Sequence, residues 1–102
     1  MAIVTYSEKA NNELKNIAIY IAEQSYSIEI ALNVVERMRS RIKKRLEIFP
    51  YSGRVVETIG GTDYHKVVVE RYGFIYKISL DENDEEIVMV MDVIHEAEDD
   101  DR

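Results

Sequence analysis

Apolar positions follow one spacing in the first half of the chain and another in the second. Residues 2–6, Ala-Ile-Val-Thr-Tyr, are a short β-prone run that predicts a first strand. From residue 8 the spacing becomes helical. Ala10, Leu14, Ile17, Ala18 and Ile21 fall on one stripe over 8–24. Ser7 offers a hydroxyl to cap that helix, and Glu8 suits its positive end. Ser25, Tyr26 and Ser27 interrupt the stripe, and Ser27 can cap a second helix over about 28–48. There Ala31, Val35, Met38, Ile42, Leu46 and Phe49 repeat at helical intervals, a sustained core-facing stripe that Pro50 stops. Two helices joined by so short a link predict an antiparallel hairpin.

Beyond Gly53 the period falls to two. Residues 54–58 read as a lead-in strand, Gly60-Gly61 as a turn, and 64–70 as the next strand. Gly73 breaks the apolar pattern near a turn or bulge. Tyr72, Phe74, Tyr76, Ile78 and Leu80 then alternate onto one face. Asp81 to Glu85 is an acidic turn with Asn83-Asp84 at its tip. Residues 86–94 are apolar on both faces until Asp92, which suits a central strand. The expected fold is α+β with the order β-α-α-β-β-β, a helical hairpin packed on one side of a mainly antiparallel sheet.

Composition narrows the class. A chain of 102 residues with 46% hydrophobic content fits one folded domain, placed at 1–95, followed by an acidic tail at 96–102. With no cysteine there is neither a disulfide nor a thiolate metal site. His65 and His95 lie outside any ligand spacing, so neither a metal nor an organic cofactor is expected. The N-terminus lacks the basic start and apolar stretch of a signal peptide, and no run approaches the roughly 20 apolar residues of a membrane span. A cytoplasmic protein without membrane contact is the expectation.

The net charge of −7 is unevenly spread. Residues 81–102 carry 11 acids against one base, whereas residues 1–80 carry 12 bases against 9 acids. The mildly basic body neither excludes nor supports a nucleic-acid partner. Within it, residues 37–45 hold six basic side chains, and Arg37, Arg41, Lys44 and Arg45 fall on one helical face. That face reads either as a basic ridge for an acidic partner or as a solvated surface favoured near a helix C-terminus. The acidic tail reads either as disordered or as folding back onto the ridge. Ile19, Tyr20 and Tyr26 lie off the first stripe and are candidates for an apolar contact surface.

Between the helices and the sheet, Phe49 is expected to anchor the helix end in the core. Pro50 forbids another turn, Gly53 permits the reversal, and Arg54 starts the sheet. This segment, Leu46 to Arg54, resembles the "L-x-x-F-P-x-x-G-R" segment of the ParE branch of the RelE/ParE toxin superfamily. Lys66-Val67-Val68-Val69, followed by Tyr72-Gly73-Phe74-Ile75-Tyr76-Lys77-Ile78, is similar to that superfamily's basic and tyrosine-bearing strands. Residues 87–95 are similar to its last strand, which ends in histidine. The likeness covers about residues 3–95.

The resemblance implies the toxin of a type II toxin–antitoxin pair, neutralised by a cognate antitoxin, causing growth arrest and serving plasmid stabilisation. Its RelE-like members cut messenger RNA in the ribosome, using cations for the phosphate and a proton-transfer group. On this chain that set maps to Arg54, Lys66, Arg71 and His95. Gly73 stands where some nucleases carry arginine, and Glu96 and Glu98 stand where a tyrosine and an arginine would fall. That depletion favours the ParE branch, whose members bind DNA gyrase and block replication. A ribosome-dependent endoribonuclease is the alternative, and a degenerate toxin surviving as a binding module is a third.

Overall fold

The computed structural model describes residues 1–96. The order is β1 (Ile3–Tyr6), α1 (Glu8–Ser25), α2 (Ile28–Ile48), β2 (Arg54–Ile59), β3 (Thr62–Val69), β4 (Tyr72–Leu80) and β5 (Glu86–His95). The lead-in segment is thus a full edge strand in front of the three that follow. The five strands form one sheet in the order β1-β5-β4-β3-β2. β2 to β5 run antiparallel in sequence, and β1 lies parallel beside β5.

Both helix starts follow from a serine. Ser7 Oγ accepts from the Ala10 amide at 3.0 Å, and Ser27 Oγ accepts from the Ile30 amide at 3.1 Å. Tyr26 closes α1 in the left-handed region, which reverses the chain within two residues. The hairpin lays Ala10, Leu14 and Ile17 of α1, with Met38, Ile42 and Leu46 of α2, against Val67, Phe74, Tyr76, Val88, Val90 and Val93 of the sheet. Truncating a side chain as deeply buried as Leu46 to alanine costs about 2–5 kcal/mol.

β5 reads as apolar on both faces partly because it changes phase. Tyr76 pairs with Val90 but Ile75 pairs with Asp92, so Met91 is an extra residue. Val88 and Val90 face the helices before this bulge and Val93 after it. The β3–β4 turn has only two residues, Glu70 and Arg71, both at positive φ (52° and 74°) without being glycine. The expected folding-back of residues 97–102 onto the ridge lies outside the described residues.

Candidate functional site

The segment joining α2 to β2 is built differently from its sequence reading. Phe49 is not in the core: it is 64% exposed. The helix ends at Ile48, and Phe49 leaves helical geometry (φ −125°, ψ 69°), which swings its ring off the buried stripe that Leu46 completes. Gly53 is not there for a left-handed turn either. A Cβ on it would come within 2.6 Å of Tyr76 Oη and 2.9 Å of the Lys66 carbonyl oxygen, so no side chain fits. Tyr76, fully buried, holds the loop from below. Its hydroxyl accepts from the Gly53 amide at 2.9 Å and donates to the Pro50 carbonyl at 2.8 Å. Burial raises the Tyr76 pKa, against the opposing pull of the Gly53 amide, Arg45 and Ser52. His65, also buried, stacks on Tyr76 at 5.2 Å and pairs Nδ1 with the Gly53 carbonyl at 3.0 Å. This cradle presents Phe49 and Tyr51 outward on a fixed base.

The four residues of the expected nuclease set do not converge. Lys66 points to the helix-free face of the sheet, since its neighbours His65 and Val67 are buried on the opposite face. Arg54, in register with Lys66 on β2, shares that face and is exposed. His95 pairs with Tyr72 on the helix side, its ring edge-on to Tyr72 at 5.3 Å. Arg71 sits in the β3–β4 turn. Lys66 is also occupied: its Nζ donates to both carboxylate oxygens of Glu96, at 2.9 and 3.0 Å. Glu96 therefore does more than repel an anion, since it directly neutralises Lys66, one of the cations of that set.

The expected basic ridge is exposed but partly answered. Arg37 makes a bidentate contact with Glu70, at 2.6 and 2.8 Å, and Arg41 lies 3.6 Å from the same carboxylate. Arg37 hydrogen bonding holds the Glu70 carboxyl below its ordinary pKa, more than burial raises it. Arg45 donates to Ser52 at 3.0 Å. Lys44 makes no ion pair among the described residues. Arg41, Lys44 and Arg45 rim a groove of about 580 Å³ whose floor and far wall are Phe49, Val68, Val69 and Glu70. Among the described residues no strand pairs with the β3 edge over Val67–Val69 on that side, because β2 pairing stops at Lys66.

Ile19, Tyr20 and Tyr26 are all exposed, but they do not form one site. Tyr20 joins Glu13, Asn16, Ile17, Tyr72 and His95 around a second, largely apolar groove of about 310 Å³. Burial raises the Tyr72 pKa there, with a further push from nearby Tyr20. Tyr26 lies at the hairpin tip beside exposed Ile28, Ile30 and Leu32, three residues the sequence reading passed over. Their position off the α2 stripe was the signal that could have found them.

Among the described residues no group of three or more His, Cys, Asp or Glu side chains could hold a metal ion. No helix there is long and apolar enough to cross a membrane.

The structure is similar to that of the chromosomal ParDE TA system from P. aeruginosa, with a TM-score of 0.73 over 95% of this chain and 98% of that one. At 12% identity the likeness is one of fold. No curated protein sequence matches. The sequence does match, over residues 4–100, the family described as "ParE toxin of type II toxin-antitoxin system, parDE". With nearly the whole chain covered, and with the α-hairpin on its five-stranded sheet, the protein belongs to the ParE toxin family of type II toxin–antitoxin systems.

Proposed function

We propose that this chain is a toxin that acts by binding, with DNA gyrase as its target, and that a cognate antitoxin silences it in the cytoplasm. One observation carries the choice of binding over cutting. The polar groups an RNA-cleaving site needs are divided between the two faces of the sheet, and Lys66 is tied to Glu96. Cleavage through a 2′-hydroxyl requires a proton acceptor, a phosphate-binding cation and a proton donor around one phosphate. His95 and Lys66 on opposite faces do not serve one phosphate.

Binding, in contrast, needs rigid exposed apolar surface with charges at its rim. The Phe49 and Tyr51 loop, the groove rimmed by Lys44 and the groove beside Tyr20 supply both. An antitoxin segment with an apolar stripe and acidic flanks suits these grooves, because it buries apolar area and meets the cations of α2.

The test is to induce the gene without its neighbour and then assay purified protein twice, for inhibition of gyrase supercoiling and for cleavage of ribosome-bound messenger RNA. Growth arrest with loss of supercoiling supports the proposal. Arrest with messenger cleavage and intact supercoiling replaces it with the ribonuclease reading, and undisturbed growth replaces it with a degenerate toxin.

A further inference from the structure

Glu96 occupies space that the fold has cleared for it. Its backbone amide donates to the Arg71 carbonyl at 2.8 Å, which fixes where the side chain starts. The side chain then crosses Gly73 to reach Lys66. A Cβ on Gly73 would come within 2.9 Å of Glu96 Oε2 and 3.0 Å of Lys66 Cδ, so the carboxylate and the lysine stem both rest where any other residue would have its side chain. Both partners are nearly enclosed, with 13% and 15% of their side-chain surface exposed. Arg54 adds a second cation on the same face, in register with Lys66.

We propose that Lys66 and the clearing over Gly73 form an oxyanion site which Glu96 fills from within the chain, and that this plug keeps phosphate groups off Lys66. Lys66 makes no other ion pair among the described residues, so removing the carboxylate leaves an unmatched cation beside the cleared space, where it recruits an anion from solution. Phosphate is favoured over a carboxylate because it brings about −1.5 to −2 charges and several acceptor oxygens to Lys66, on a sheet face to which Arg54 adds positive potential. The site is separate from the grooves assigned to the antitoxin, so its failure leaves the gyrase reading untouched.

Two substitutions separate the plug from the clearing. Glu96→Ala deletes the plug. Adding Gly73→Ala to it puts a methyl into the clearing, 3.0 Å from Lys66 Cδ, and so takes up the space the anion needs. Inorganic phosphate would be titrated into the unaltered chain, Glu96→Ala, Glu96→Ala/Gly73→Ala and Glu96→Ala/Lys66→Ala, following backbone amide signals by NMR. The expected result is that Glu96→Ala binds phosphate at least about tenfold more tightly than the unaltered chain. Adding either Gly73→Ala or Lys66→Ala should abolish the gain. No gain in folded Glu96→Ala, or a gain that survives either second substitution, overturns the assignment. Acetate in a parallel titration separates the sources: an equal gain for acetate makes this a carboxylate site and refutes the phosphate assignment. Short single-stranded RNA should follow phosphate, with a gain that falls as salt rises.

Discussion

Replacing Tyr76 with phenylalanine removes one oxygen atom and leaves the ring, its packing and its stack with His65 in place. That oxygen nonetheless ties β4 to the Pro50–Gly53 loop, through 2.9 and 2.8 Å hydrogen bonds in a buried position. The variant strands a buried amide at Gly53 and a buried carbonyl at Pro50. A buried polar group left unpaired costs about 1–3 kcal/mol, and two are stranded; the deleted hydroxyl no longer has to be desolvated, which offsets part of this, so the expected loss is about 2–4 kcal/mol. For a chain of 102 residues the unfolding entropy is about 0.2 kcal/mol/K, which converts that loss to a drop of about 10–20 °C in Tm. Urea unfolding followed by far-ultraviolet circular dichroism measures it, with an unchanged slope showing that the unfolded state is unaltered. Tyr72→Phe is the internal control: it lies on the same face of the same strand, and its hydroxyl makes no hydrogen bond among the described residues. A loss below about 0.5 kcal/mol, or one equal to that of the control, would refute the claim that the hydroxyl staples the loop. The pair also has an alkaline signature. Burial raises the Tyr76 pKa above its ordinary 10.0, so its contribution is present below pH 10 and is lost as pH rises from there through the higher folded value. Tyr76→Phe should lack that share of the alkaline limb.

Three further outcomes follow from the same geometry. Tyr6 Oη is buried with no hydrogen-bond partner among the described residues, so Tyr6→Phe should raise stability by about 1 kcal/mol in the same unfolding assay; a loss of stability would show that the hydroxyl is satisfied. Arg37 holds the Glu70 pKa below its ordinary 4.5, so the pair's contribution is present above that value and disappears as pH falls through the lower folded value; Glu70→Gln should remove this step from the acid limb, and an unchanged acid limb would count against the pair. Tyr20→Ala should cost about 2 kcal/mol or more in antitoxin binding by calorimetry while changing stability by less than about 0.5 kcal/mol, because the ring is mostly outside the core; unaltered binding would remove the Tyr20 groove from the interface.

The helical half was legible because helix period, caps and stops act over a few residues. Ser7, Ser27 and Pro50 each act on groups within a turn of themselves, so sequence neighbours suffice to read them. Phe49 departs from its expected place for the same reason in reverse. The stripe runs one step beyond the last helical residue, where helical spacing no longer says which way a side chain points. Gly53 shows a different limit. Glycine in a loop suggests backbone freedom, yet the requirement here is room for Tyr76 Oη, a group 23 residues away. Glu96 and Lys66 are 30 residues apart and Arg37 and Glu70 are 33 apart, so neither ion pair follows from local pattern. Their meeting depends on strand register and on a two-residue turn between β3 and β4 that has no glycine to announce it.

These pairings bear on how the basic body can recognise a partner. Lys9 is matched by Asp92, Lys43 by Glu47, Arg37 and Arg41 by Glu70, and Lys66 by Glu96. A charge already satisfied within the fold offers a partner little, since any new pair must first replace the old one. Lys44 and Arg54 make no ion pair among the described residues, and Arg45 is bound only to a hydroxyl there. All three lie along the segment that ends α2 and begins β2, on either side of the exposed Phe49 and Tyr51. Desolvating two aromatic rings supplies affinity, whereas rim charges mainly set approach rate and orientation. The arrangement therefore favours an acidic protein surface with an apolar centre over a nucleic acid, whose backbone offers phosphates in quantity but little aliphatic area to cover Phe49.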